Sequence, residues 1–142
     1  MCGRTRAMNF SSYRSTAQMF VYTLPVALLA ITFLQASIDK LVDRQGNLSY
    51  FKTKFAKSFL AKATEPAFWA ITALELAAGV LCTLGFLQIL LGEKRVIAFW
   101  GAAVSAIAVC ALFFGLRISK DYDGAAKLVP YFLVAVVAMY VL

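Results

Sequence analysis

FWAITALELAAGVLCTLGFLQILL, residues 68–91, decides how the rest of this chain folds. Its 24 residues carry one formal charge, Glu75. As a helix rising about 1.5 Å per residue, the stretch is long enough to cross a hydrocarbon layer about 30 Å thick. An ionised carboxylate at mid-span costs roughly 2.5–3.5 kcal/mol on insertion scales, so Glu75 is expected to be neutral, paired, or turned toward other helices. The face of this helix that carries Glu75 is therefore the face expected to meet protein.

The rest of the chain has the same chemistry. Of 142 residues, 62% are hydrophobic and 15% charged, and the mean hydropathy is +0.78, beyond the apolar share of a soluble domain. The expectation is a single all-α domain over residues 1–142, a polytopic membrane four-helix bundle. The net charge of +7, from 14 Lys and Arg against 7 Asp and Glu, sits between apolar segments. That placement suits phospholipid headgroups and not nucleic acid. Histidine is missing from the sequence, which removes the commonest metal and haem ligand and the usual general base. No intrinsic cofactor, metal site or catalytic residue is expected. The three cysteines, Cys2, Cys82 and Cys110, form no C-x-x-C pair. With the second and third spans antiparallel, Cys82 and Cys110 differ in depth by ~12 Å, too far for a disulfide. Both read as small buried hydrophobes.

Taken in order, residues 1–18 form a polar tail with Arg4, Arg6 and Arg14. The apolar run that follows is too long for a signal peptide and ends in no A-x-A-like site, so the tail is expected to stay attached, with Met8 as a second possible start. The first span covers about 19–42. It begins either near Thr23, with Pro25 in its first turn, or earlier with a kink at Pro25. Its far end places Gln35, Ser37, Asp39 and Lys40 among apolar neighbours, and Lys40 is long enough to snorkel.

In the long connection, Leu48, Phe51, Phe55 and Phe59 recur at helical spacing with Lys52, Lys54, Lys57 and Lys62 between them. This predicts an amphipathic helix over about 48–62, lying in the interface with its lysines toward anionic headgroups. A partner's groove could take the same stripe.

Thr64, Glu65 and Pro66 then read as a cap, an acid and a first-turn proline. The second span covers about 67–91, with Ala70, Ala73 and Ala77 on one face and Gly79 on an adjoining one. A tight turn over 91–95 sends the third span (96–116) back beside it. That span carries the small residues Gly101, Ser105, Ala108 and Gly115, and Trp100 near its start. The fourth, 123–142, is bent at Pro130.

Four crossings bring Asp39, Lys40, Glu75, Arg117, Asp121, Asp123 and Lys127 to one membrane face. Glu75 lies roughly 11 Å below that face, within reach of the Lys40 stem, so a Glu75–Lys40 pair is expected, with Gln35 and Ser37 as further hydrogen-bonding groups. Such a pair either fixes the packing of a small bundle or serves a proton or ligand, and both roles stand open. Orientation is left open as well. Lys and Arg are more numerous on this face, but four of them belong to the surface segment.

Ser37-Ile38-Asp39-Lys40-Leu41 resembles the G-x-x-K-L that closes the first helix of DoxX-like membrane proteins, with Ser37 in place of the glycine. Leu74-Glu75-Leu76-Ala77-Ala78-Gly79, continuing to Leu84-Gly85-Phe86, resembles their L-E-x-x-x-G followed by L-G-hydrophobic. The plan of four helices with a long first loop also matches, over residues 20–142. The resemblance implies a four-helix protein of a bacterial cytoplasmic membrane and picks out Lys40, Glu75 and Gly79. Members of that family are associated with quinone-linked oxidases, thiosulfate oxidation or membrane oxidoreductase complexes, often as small subunits. The first functional reading is thus a non-catalytic accessory subunit of a larger membrane complex, redox or quinone linked. The alternatives are a homo-oligomeric proton-coupled carrier of small solutes using Glu75, and a quinone or lipid binder at Glu75 with Phe33 and Trp69 as candidate walls, aromatics for which ordinary packing against lipid is the favoured reading.

Overall fold

The computed structural model describes the backbone of residues 2–142 and the side chains of residues 12–142. Five α-helices follow one another: α1 (Cys2–Val42), α2 (Arg44–Phe55), α3 (Thr64–Leu90), α4 (Val96–Ile118) and α5 (Tyr122–Val141), with a 3-10 turn over Phe59–Ala63 leading into α3. There is no strand among the described residues. Among the described residues, four stretches are long and apolar enough to cross a membrane: Ser12–Val42, Phe59–Leu90, Val96–Ile118 and Tyr122–Val141. The protein is an integral multi-pass membrane protein. Its spans form a four-sided bundle in which α1 packs on α3, α3 on α4, α4 on α5, and α5 back on α1. The end of α1, the start of α3, the end of α4 and the start of α5 share one end, here the proximal end.

Helix bounds differ from the sequence expectation where nothing stops a helix. The helix of the first span does not begin at residue 19 or at Thr23. It continues through the polar tail, because no glycine or proline interrupts residues 12–24, and Pro25 lies inside α1. The expectations on Cys2, Arg4, Arg6 and Met8 lie outside the described side chains. Thr64 does not cap α3. Its hydroxyl bonds back to the carbonyls of Leu60 (2.9 Å) and Ala61 (3.2 Å), because the 3-10 turn runs straight into the helix and the first turn of α3 is already covered. Asp43 and Asp121 do cap, accepting from Gly46 N–H at 3.1 Å and Gly124 N–H at 2.9 Å to start α2 and α5.

Backbone-to-backbone contacts hold the middle and the distal half together. A Cβ on Gly85 would lie 2.3 Å from Ala98 Cα, one on Gly101 2.8 Å from Cys82 N, and one on Gly79 2.8 Å from Leu34 N. In lipid, where helices gain nothing by hiding apolar surface, such close approach supplies the dispersion contact that joins them. The buried face of α3 reads Phe68, Thr72, Glu75, Ala78, Gly79, Cys82, Gly85 and Ile89. Ala70, Ala73 and Ala77, expected at a packing face, are exposed instead. Alanine is tolerated on either side of a membrane helix, whereas a carboxylate is not, and Glu75 together with the close backbone approach at Gly79 and Gly85 decides the facing. Likewise Cys82 is buried beside Ser105 Oγ (3.5 Å), while Cys110 is exposed, and both thiols are free.

Candidate functional site

The proximal half of the bundle holds a partly open cavity of about 650 Å³. All four spans line it. Thr32, Phe33, Ala36 and Lys40 come from α1, Ala67, Ala70, Ile71 and Glu75 from α3, Val109, Ala111, Leu112, Phe114, Gly115 and Leu116 from α4, and Leu128 and Tyr131 from α5. Asn47, Tyr50, Phe51, Lys54 and Phe55 of α2, with Leu60, cover its end. The volume lies within the range of small-molecule sites, and the walls are mostly apolar with a few convergent polar groups.

Glu75 is 1% exposed, and Lys40 Nζ donates to its Oε2 at 2.6 Å. Glu75 reaches the core because positions 68, 72, 75, 79 and 82 fall on one helical face. Lys40 reaches it because its long stem runs inward from near the end of α1. The remaining Glu75 oxygen accepts no protein hydrogen bond, and no buried side-chain oxygen or nitrogen among the described residues is left unpartnered. That oxygen therefore reaches the cavity surface. An ammonium has three N–H donors and this one is used once by the protein. The pair thus offers a donor and an acceptor side by side.

The other expected members of the cluster do not join. Gln35 and Asp39 are exposed, being one turn apart on a face that α3 does not cover. Ser37 is fully buried, but its hydroxyl bonds to Leu34 O at 2.9 Å. Of the two aromatics offered as candidate walls, Phe33 is buried and lines the cavity; Trp69 is 39% exposed, in keeping with packing against lipid, and lies under the Arg44 guanidinium, 5.7 Å from ring to charge.

The amphipathic helix expected over 48–62 is broken. α2 ends at Phe55, and Ala56 to Ser58 turn the chain into the 3-10 segment. The phenylalanine stripe therefore splits. Phe55 is buried and Phe51 stacks edge-on against Phe68 (5.4 Å between centroids), whereas Phe59 is 78% exposed. The first two pack on the bundle; Phe59 alone is left outward. Lys52 and Lys57 are exposed, Lys52 pairing loosely with Glu65 at 3.4 Å, a contact of small energetic value in water.

Lys54 turns inward. It donates to Tyr50 Oη at 2.6 Å and forms an ion pair with Asp121 at the start of α5, so α2 is latched across the cavity end. Partial burial pulls the Lys54 pKa down, but hydrogen bonds to Asp121 and Tyr50 and their charges outweigh it, leaving it above the ordinary lysine value. The Lys54 hydrogen bond, then the Gly124 N–H, hold the Asp121 carboxyl below its usual range. A depressed acid stabilises above its unfolded pKa and loses that contribution as pH falls through its folded pKa. A raised lysine stabilises below its unfolded pKa and loses that as pH rises through its folded value. The latch is therefore constant from about pH 5 to 9 and weakens only at the extremes. In nanodiscs at pH 7, Asp121→Asn is expected to speed hydrogen exchange across residues 44–63 and leave α3 and α4 unchanged; unchanged exchange in α2 would remove the latch.

Sequence reading missed the latch, although the repeated D-x-x-G of Asp43–Gly46 and Asp121–Gly124 marks both helix starts that flank the cavity. Comparison of the chain with family models, with curated proteins and with solved structures finds no match.

Proposed function

We propose that this membrane protein binds a small amphiphilic molecule in the proximal cavity, its polar head between Lys40 and Glu75 and its apolar body against Phe33, Val109 and Leu112. The carrying observation is the neighbouring donor and acceptor of Lys40 and Glu75 in a mostly apolar chamber. A carbonyl would accept from Lys40, and a hydroxyl would donate to the free Glu75 oxygen. A quinone head suits both groups in its oxidised and reduced forms, in line with the DoxX-like resemblance of the same residues.

The test is equilibrium binding of tetramethyl-1,4-benzoquinone to the protein in nanodiscs. Loss of a charge-assisted hydrogen bond removes about 1.5–3 kcal/mol, so Lys40→Met and Glu75→Gln are expected to weaken binding roughly 10–100-fold. Ala36→Phe, which fills the chamber and keeps both charged groups, is expected to block it. Equal affinity in all three variants would refute the site.

The accessory-subunit reading is favoured by a separate observation, the exposed Ala73 and Ala77 on α3 outside the cavity, which leave room for a partner's helix. Co-purification of a stoichiometric larger subunit in mild detergent would support it; a lone chain would not.

A further inference from the structure

A second apolar space, a groove of about 580 Å³, runs along the lipid-facing side of α4 and α5. Cys110, Phe113, Val129 and Phe132 line it alone, whereas Val109, Phe114 and Leu128 line both the groove and the Glu75 cavity. The two spaces are neighbours with a shared wall of three side chains. Phe114, the largest of them, is 63% exposed and belongs to no packed core cluster, so nothing of the bundle fixes its ring across the wall. Arg117 marks the groove's proximal end, and the rest of its lining is hydrocarbon-like.

From this continuity we infer that the ligand is a long-tailed amphiphile, taken up laterally from the bilayer between α4 and α5, whose tail stays in the groove while its head sits at Lys40 and Glu75. This rests on the binding function proposed above and adds the substrate class: a single-chain isoprenoid or alkyl compound dissolved in the membrane, not a short water-borne solute. Phe114 is the side chain that swings to admit the head. A tail leaving bulk lipid for the groove gains dispersion contact and no hydrophobic driving force, so its contribution to affinity is modest.

Two probes separate tail from head: tetramethyl-1,4-benzoquinone, and 2,3,5-trimethyl-6-decyl-1,4-benzoquinone, both measured in nanodiscs at matched concentrations in the lipid. Val129→Trp fills the groove without touching the cavity. The expected result is a roughly five- to tenfold weaker binding of the decyl probe by this variant, with the tetramethyl probe unaffected. In a Cys2→Ser background, Cys110 alkylation by a membrane-permeant maleimide is expected to slow with the decyl probe and not with the tetramethyl one. Should both probes bind while Val129→Trp leaves both affinities unchanged and Cys110 stays unprotected, the tail groove is wrong and the head site stands. If neither probe binds the unmodified protein, the binding function falls and the groove with it.

Discussion

Glu75→Gln is expected to destabilise the bundle by about 3–5 kcal/mol, the usual cost of removing one member of a buried ion pair. The substitution leaves the Lys40 ammonium, donating to Glu75 Oε2 at 2.6 Å in the native protein, beside a neutral amide inside the hydrocarbon layer. Lys40→Met removes the other half and leaves a carboxyl group that is 1% exposed; protonation limits the damage, so the loss is expected to be somewhat smaller. The double variant Lys40→Met, Glu75→Leu replaces both charges with apolar groups and is expected to recover most of either loss, because the desolvation cost disappears together with the attraction. Unfolding of the single and double variants by sodium dodecyl sulfate titration gives the coupling energy directly. Strictly additive losses would mean that the two residues do not act as a pair.

The second large effect is expected at the α3–α4 crossing. Gly85→Leu puts a branched side chain where even a Cβ would sit 2.3 Å from Ala98 Cα. The contact is with backbone, so no side-chain rotation relieves it and one helix must move. Overpacking of this kind costs about 1–3 kcal/mol in soluble cores, and here it also breaks the neighbouring Gly101 and Cys82 contact. A sharp fall in the folded fraction and in monodisperse yield is expected. Gly115→Leu is the matched control, since its Cβ would meet only the Phe55 ring, at 3.5 Å. Equal loss in both variants would show that tight crossing at Gly85 is not what joins α3 to α4.

Much of the bundle is written in where the chain could not tolerate water or oil. Glu75 announces the inner face of α3 because a carboxylate in lipid is costly, and Lys40 is within reach by helix rise alone. The same logic fails for residues that both environments accept. Ala70, Ala73 and Ala77 are small enough to pack and apolar enough to face lipid, so their spacing carries no direction. Gln35 and Asp39 are polar, yet they lie near enough to the end of α1 to face outward. The cavity itself was beyond local pattern, because its cover depends on Lys54 meeting Asp121, 67 positions away. The break of the amphipathic segment at Ala56–Ser58 has the same origin. The phenylalanine spacing fits one continuous helix, and the packing of Phe51 and Phe55 on the bundle overrides it.

The glycine crossings at Gly79, Gly85 and Gly101 have a topological consequence for traffic through the molecule. They bring α3 against α1 and α4 beyond Glu75, so the chamber is closed on those sides at its distal end and is reached from the proximal end under α2 or from the flank of α4 and α5. A molecule that goes in must come out by the way it came, unless backbones already in contact are prised apart. That geometry belongs to a docking berth for membrane-dissolved compounds and would make a poor conduit from one side of the bilayer to the other.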